Sequence, residues 1–164
     1  MSKRASTKEA AFPRSGHDHE ACVTAALQRA ETVCAEHGVR LTPLRRRVLE
    51  IVWASHRPVG AYAILETLGQ EGFSPAPPTV YRSLDFLQEQ GLVHRIASLN
   101  AFIGCEQPGH AGSGQFLICH DCGTAVELTD PAIEQAIRAS AEKRQFTAEM
   151  HNVEVSGVCP NCRD

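Results

Sequence analysis

Apolar residues recur at helical spacing from about Cys22 to Gln90 and in short runs after that. From Cys22 to His37, Ala25, Leu27, Val33 and Ala35 are interleaved with charges before Gly38, which predicts an amphipathic helix. A second helix starts cleanly, because Thr42 can cap it and Pro43 suits its first turn, and Leu44, Val48, Ile51 and Val52 share one face. In a third, Ala61, Ile64, Leu65 and Leu68 repeat before Gly69 and Gly72. Pro75, Pro77 and Pro78 predict a rigid extended connection, followed by a fourth helix from Thr79 to about Gln90 that buries Val80, Leu84 and Leu87 and stops at Gly91. Val93 to Ser98 and Ala101 to Cys105 read as two strands. Helices followed by a short hairpin make a winged helix-turn-helix.

Composition agrees with a folded chain. Its 164 residues, 43% hydrophobic and 21% charged, suffice for one or two small domains with real cores. No run of about 18 apolar residues occurs, and Lys3, Arg4 and Lys8 lack the apolar stretch of a secretory signal, so a cytoplasmic protein with no membrane partner is expected. In a reducing cytosol, seven cysteines read as metal ligands or reactive thiols and not as disulfides. The net charge of −3 conceals an asymmetry: residues 1–98 sum to +2 and residues 99–164 to −5. Arg40, Arg45, Arg46 and Arg47 cluster in the first part, which places any phosphate contact there, although an arginine run is also an ordinary solvated helix face. Residues 1–16 read as a flexible arm. Behind it, His17-Asp18-His19-Glu20 can bind a metal loosely, act as a helix cap, or do nothing specific.

In a winged helix-turn-helix the fourth helix is offered to the major groove, and the residues near its N-terminus, Thr79, Tyr81 and Arg82, reach the bases. Arg82 can contact guanine O6 and N7, Tyr81 can pack on a thymine methyl or bond a phosphate, and Arg45 or Arg46 can hold the backbone. Tyr62 is grouped with them as a DNA contact. The plainer alternative is that Tyr81 and Arg82 cover the core of a small bundle.

The segment Pro78-Thr-Val-Tyr-Arg-Ser-Leu, with Arg40-Leu-Thr-Pro before it and Gly91-Leu-Val-His94 after it, resembles the ferric uptake regulator family, from about residue 22 to the last cysteine. The resemblance implies an α+β protein: an N-terminal winged helix-turn-helix domain (17–98), a hinge, and a C-terminal α/β dimerisation domain (99–164) with a structural zinc. It also implies a metal-dependent repressor that binds AT-rich palindromes as a homodimer.

Cys119-His-Asp-Cys122 and Cys159-Pro-Asn-Cys162 then stand out by spacing. Four thiolates in two C-x-x-C knuckles give tetrahedral zinc a closed shell with no position for a substrate, so the expected site is structural and not catalytic or a redox dithiol. The metal would tie the end of the chain to the middle of its domain. Cys22 and Cys34, on the first helix, read as ordinary free cysteines.

Zinc-responsive members of the family use a histidine, a cysteine, a histidine and a glutamate at positions that correspond here to His94, Cys105, His110 and Glu127, and the resemblance implies a regulatory zinc on these four. The set is chemically coherent, since one thiolate and one carboxylate neutralise Zn²⁺ and two imidazoles complete a tetrahedron. Two Zn²⁺ per chain are therefore expected. Iron-sensing members carry a histidine-rich run before the first knuckle, where this chain has Ser113-Gly-Gln-Phe116 with only Gln115 as a conceivable ligand. A sulfur ligand also favours zinc over Fe²⁺ or Mn²⁺. Glu134 and His151 match two positions of a further family site whose partners are missing, so no tight third zinc is expected there; His56 matches another ligand position and reads as a solvent-facing loop residue. The expected function is a zinc-responsive repressor of zinc-uptake genes on palindromic double-stranded operator DNA, with no enzymatic activity and no small organic substrate. The alternatives are an iron-, manganese- or peroxide-sensing regulator of the same family, and a zinc-ribbon adaptor or RNA binder.

Overall fold

Four helices, a hairpin and a small mixed sheet follow one another in the computed structural model, which describes residues 12–13, 17–107 and 113–163. The arm 1–16 lies almost wholly outside these residues. Helix α1 (His19–Glu36) begins earlier than its apolar pattern, because the Asp18 carboxylate accepts from Ala21 N at 3.1 Å and caps it. Helix α2 (Pro43–Trp53) starts at the expected Thr42 cap, and α3 (Ala61–Gln70) runs through Gly69 and turns at Gly72, whose φ of +85° suits glycine. Pro77 and Pro78 form the first turn of α4 (Pro77–Glu89) and not an extended linker: the first-turn N–H groups have no helical partner, so proline loses nothing there. Val48, Leu49, Val52, Ile64, Leu68, Val80, Leu84 and Leu87 from α2, α3 and α4 fill the core of this unit.

Strand β1 (Val93–Ile96) pairs antiparallel with β2 (Ala101–Gly104). The pairing ends at Ile96, where a 3-10 turn (Ala97–Leu99) and Asn100 at φ +46° close the hairpin. Alternation gives the hairpin two inward faces. Val93 and Phe102 join the helical core, and Gly104 lies so close to the Trp53 ring that an added Cβ would sit 2.2 Å from it. Ile96 and Ile103 face the other way, onto Phe116, Ile118 and Ala125 of the second sheet. The hairpin is thus the layer between the two units, and the expected division between residues 98 and 99 falls inside it.

The second sheet has the order β4-β3-β5, from β3 (Gly114–Cys119), β4 (Ala125–Glu127) and β5 (Asn152–Gly157). β4 runs antiparallel to β3 beyond the first knuckle, and β5 runs parallel to β3 after a crossover through α5 (Pro131–Glu142). No residue of α5 is buried, and Phe146 and Met150, which follow it, and Val155 on β5 are exposed.

One contact fastens the hairpin's turn to this sheet. The Glu154 carboxylate on β5 accepts from Ala97 N at 2.6 Å and Ser98 N at 3.1 Å. Partial burial by itself would raise its pKa, but the hydrogen bonds from Ser98, Ala97 and Asn152 outweigh burial and hold it below 4.5. A depressed carboxylate contributes stability that is present above its unfolded pKa and fades as the pH falls through the folded value. Glu154→Gln should therefore lower thermal stability at pH 7 and flatten its decline between about pH 5 and pH 3, as followed by unfolding scans; an unchanged pH profile would exclude the tie.

Candidate metal centres and nucleic-acid surface

The chain folds its two C-x-x-C segments into matching turns. Cys119 ends β3, and Gly123 N donates back to Cys119 O at 2.9 Å, with Gly123 at φ +75°; beyond β5, Cys162 N donates to Cys159 O at 3.0 Å. The parallel β3–β5 pairing brings the turns together, and the four sulfurs all lie within 4.8 Å of one another. Backbone N–H groups of Cys122 and Cys159 point at the Cys119 sulfur and lower its pKa to about 6, whereas Cys162, hydrogen-bonded to Cys159, is pushed up to about 12. Four thiols this close cannot all ionise without a cation among them. The donor set fits tetrahedral zinc.

A second cluster forms where the hairpin meets the sheet. β1 directs His94 toward β3, where its ring packs edge-on to Phe116 at 5.3 Å. Cys105, just past β2, is placed by its N–H bond to Leu92 O at 3.0 Å, and Glu127 ends β4 opposite Phe116. His94 Nε2 lies 3.1 Å from Glu127 Oε1, and Cys105 Sγ lies 3.8 Å from Glu127 Oε2. All three are buried, at 8%, 2% and 7% exposure for His94, Cys105 and Glu127. Burial, then the Glu127 charge, pushes the Cys105 thiol up to about 12. A buried thiol beside a buried carboxylate is costly as an apolar packing arrangement and suits a divalent cation that displaces the thiol proton. His110, the expected fourth ligand, lies outside the described residues.

Glu134 and His151 line one small cavity of about 120 Å³ with Gln115, Glu127 and Asp130, and belong to no group of three converging His, Cys, Asp or Glu donors among the described residues. Cys34 is buried in the helical core. His56 is not solvent-facing: it is half-buried, against His17 and His19.

On α4, Val80, Ser83, Leu84, Phe86 and Leu87 turn inward, which leaves Tyr81 and Arg82 exposed and Thr79 half-buried near the helix start. Tyr62 on α3 is 74% exposed. The arginine cluster is largely occupied within the protein. The Arg45 guanidinium lies 3.7 Å above the Phe86 ring and donates to Arg40 O at 2.8 Å, and Arg46 pairs with Glu31 and with Glu50. Arg47, the fourth member of the cluster, pairs with Glu50 and with the distant Glu71, a partner not legible in the sequence. Glu154 was also not legible, because its partners Ala97 and Ser98 are far from it in sequence.

Residues 36–156 match the model of the ferric uptake regulator family. The zinc uptake regulation protein of Escherichia coli (strain K12) is 37% identical over 139 residues, spanning 83% of this chain and 80% of the relative. Among solved structures, the holo form of XcZur is 40% identical with a TM-score of 0.78, over 84% of this chain and 96% of the other. A zinc uptake regulator complexed with zinc and DNA is 36% identical with a TM-score of 0.79, over 85% and 94%. The apo form of XcZur, 39% identical over 85% and 97%, reaches a TM-score of only 0.50, so the arrangement here follows the holo form more closely. The family match over most of the chain and the relatives' identity lead to one conclusion: this chain belongs to the ferric uptake regulator family, whose members are transcription regulators and not enzymes.

Proposed function

We propose that this protein is a zinc-responsive transcriptional repressor that acts in the cytoplasm as a homodimer on palindromic operator DNA and controls zinc-uptake genes. The observation that carries the reading is the convergence of His94, Cys105 and Glu127, buried, at the junction of hairpin and sheet. His110 is assigned as their fourth partner, and Cys119, Cys122, Cys159 and Cys162 as a separate structural site, which makes two zinc ions per chain. Zinc bound at the junction supplies the positive charge that lets Cys105 ionise beside Glu127.

The remaining steps belong to the protein. His94 rides on the DNA-binding unit, Glu127 on the C-terminal sheet, and Cys105 in the segment between. Held together, they fix the angle between units, and so the position of each α4. The two recognition helices of a dimer must lie about 34 Å apart to enter successive major grooves. Taking that population from mostly incompetent to mostly competent needs about 5.5 kcal/mol of differential zinc affinity, which a four-ligand site can supply. DNA and zinc then promote each other's binding. Exposed Phe146 and Met150, between α5 and β5, and Val155 on β5 provide the face for the second copy, and the likeness to a regulator solved with zinc and DNA supports the zinc and DNA parts of the scheme.

Binding to a palindromic duplex, titrated against buffered free zinc, tests the reading. The expected shift appears only as zinc rises and is not reproduced by Fe²⁺ or Mn²⁺; metal-independent binding, or iron-dependent binding, would overturn it. Thr79, Tyr81 and Arg82 are assigned to base contacts, and Tyr62, Arg45 and Arg46 to the backbone. Arg82→Ala should cost about 1–3 kcal/mol of operator affinity and relax specificity at one base pair, with zinc content unchanged. A loss equal on every sequence would instead make Arg82 a phosphate contact.

A further inference from the structure

Three histidines outside both cysteine-containing clusters converge. His17 precedes α1, His19 is the first residue of α1, and His56 lies in the turn between α2 and α3. Their ring centroids are 5.1 Å (His17–His56), 4.8 Å (His19–His56) and 6.1 Å (His17–His19) apart, and one nitrogen from each lies within 4.8 Å of the others. Nε2 of His19 and Nε2 of His56 are buried and have no hydrogen-bond partner among the described residues. A buried ring nitrogen left unpaired costs free energy, and two of them on rings of one cluster is an arrangement that a cation relieves. The elements are anchored on each side: Cys22 Sγ lies 3.0 Å from His17 Nε2, His56 O accepts from Ala125 N of β4 at 3.0 Å, and Asn161 of the second knuckle donates to Pro13 O at 2.9 Å.

We propose that His17, His19 and His56 form a third metal site, specific for a borderline divalent ion of the zinc class and with an open fourth position for water. Three imidazoles suit zinc, nickel or copper and exclude magnesium, calcium and manganese, which need oxygen ligands. The set carries no negative charge, unlike the pair Cys105 and Glu127, so it binds more weakly and fills at higher free zinc than the junction site. Occupied, it pins the start of α1 to the α2–α3 turn, on the side where that turn meets β4 and the cleft runs on to Cys122 and Cys162. The protein would then have a second, higher threshold for zinc.

The site stands independently of the junction assignment, and the test keeps them apart. Untagged full-length protein is dialysed to equilibrium against Zn²⁺ at a series of buffered free concentrations, alongside His19→Ala/His56→Ala and, separately, Cys105→Ala. Wild type is expected to take up one more equivalent per chain than the double-histidine variant, at least about tenfold higher in free zinc than the equivalent that Cys105→Ala removes. Equal uptake by wild type and the histidine variant across the series overturns the proposal, whatever Cys105→Ala does. Trp53, the single tryptophan, lines the adjoining cavity with His17 and His56 and gives a second readout. Cu²⁺ should quench its fluorescence in wild type and not in His17→Ala, an exposed position outside the helices where the substitution leaves the fold intact. Equal quenching in both would also count against the site.

Discussion

Cys119→Ser is expected to cost one zinc per chain and, with it, the cooperative folding of the C-terminal unit and the dimer. That unit has little else to hold it. The cluster at its centre is Ile96, Ile103, Phe116, Ile118 and Ala125, of which the first two come from the hairpin, and α5 contributes no fully buried residue. Structural zinc sites contribute about 10–16 kcal/mol of folding free energy in small peptides, against a whole-domain stability of about 5–15 kcal/mol. Removing one thiolate from a closed four-sulfur shell therefore removes a contribution as large as the net stability. Cys119 is also the sulfur to which Cys159 N donates, at 3.4 Å, so the last turn of the chain loses its backbone anchor as well. Metal analysis, thermal unfolding and sedimentation check this together. A stable dimer that retains its full zinc content would remove the structural assignment.

Cys105→Ala has the opposite profile. The substitution keeps the backbone bond from residue 105 to Leu92 O, leaves His94 and Glu127 3.1 Å apart, and does not touch the knuckles. The variant should fold, dimerise and hold the knuckle zinc, yet its operator affinity should no longer respond to zinc. Allosteric couplings are typically 1–3 kcal/mol, so the zinc-dependent gain that disappears is about 5- to 150-fold. Direct titration of operator duplex with and without zinc measures it, and normal zinc-dependent binding by the variant would end the sensory assignment. The two variants separate the two roles of zinc, because one should lose the fold and the other only the response.

Much of this was legible in the sequence. Thr42-Pro43 and the apolar spacing that follows it are local, and local chemistry starts and faces a helix in the same way in any context. Misplaced elements failed for identifiable reasons. The prolines at 77 and 78 were read as a break because proline disrupts a helix interior, but the first turn is the position where it does not. Apolar alternation predicts a strand as far as Ser98, yet the pairing ends at Ile96 and the hairpin shares its two faces between two cores, which an alternating pattern by itself does not distinguish from one core and solvent.

By itself the sequence determined the helical pattern of the first unit, the outward position of Arg82, and the paired C-x-x-C spacing that marks a closed metal shell, since each depends on residues a few positions apart. Only the tertiary structure decided that Arg45 stacks on Phe86, that Glu154 holds the hairpin's turn, and that His56 meets His17 and His19. Those contacts join segments tens of residues apart, and no local spacing encodes them: they exist because the hairpin packs on both units and the α2–α3 turn hydrogen-bonds to β4, which carries distant side chains to common points.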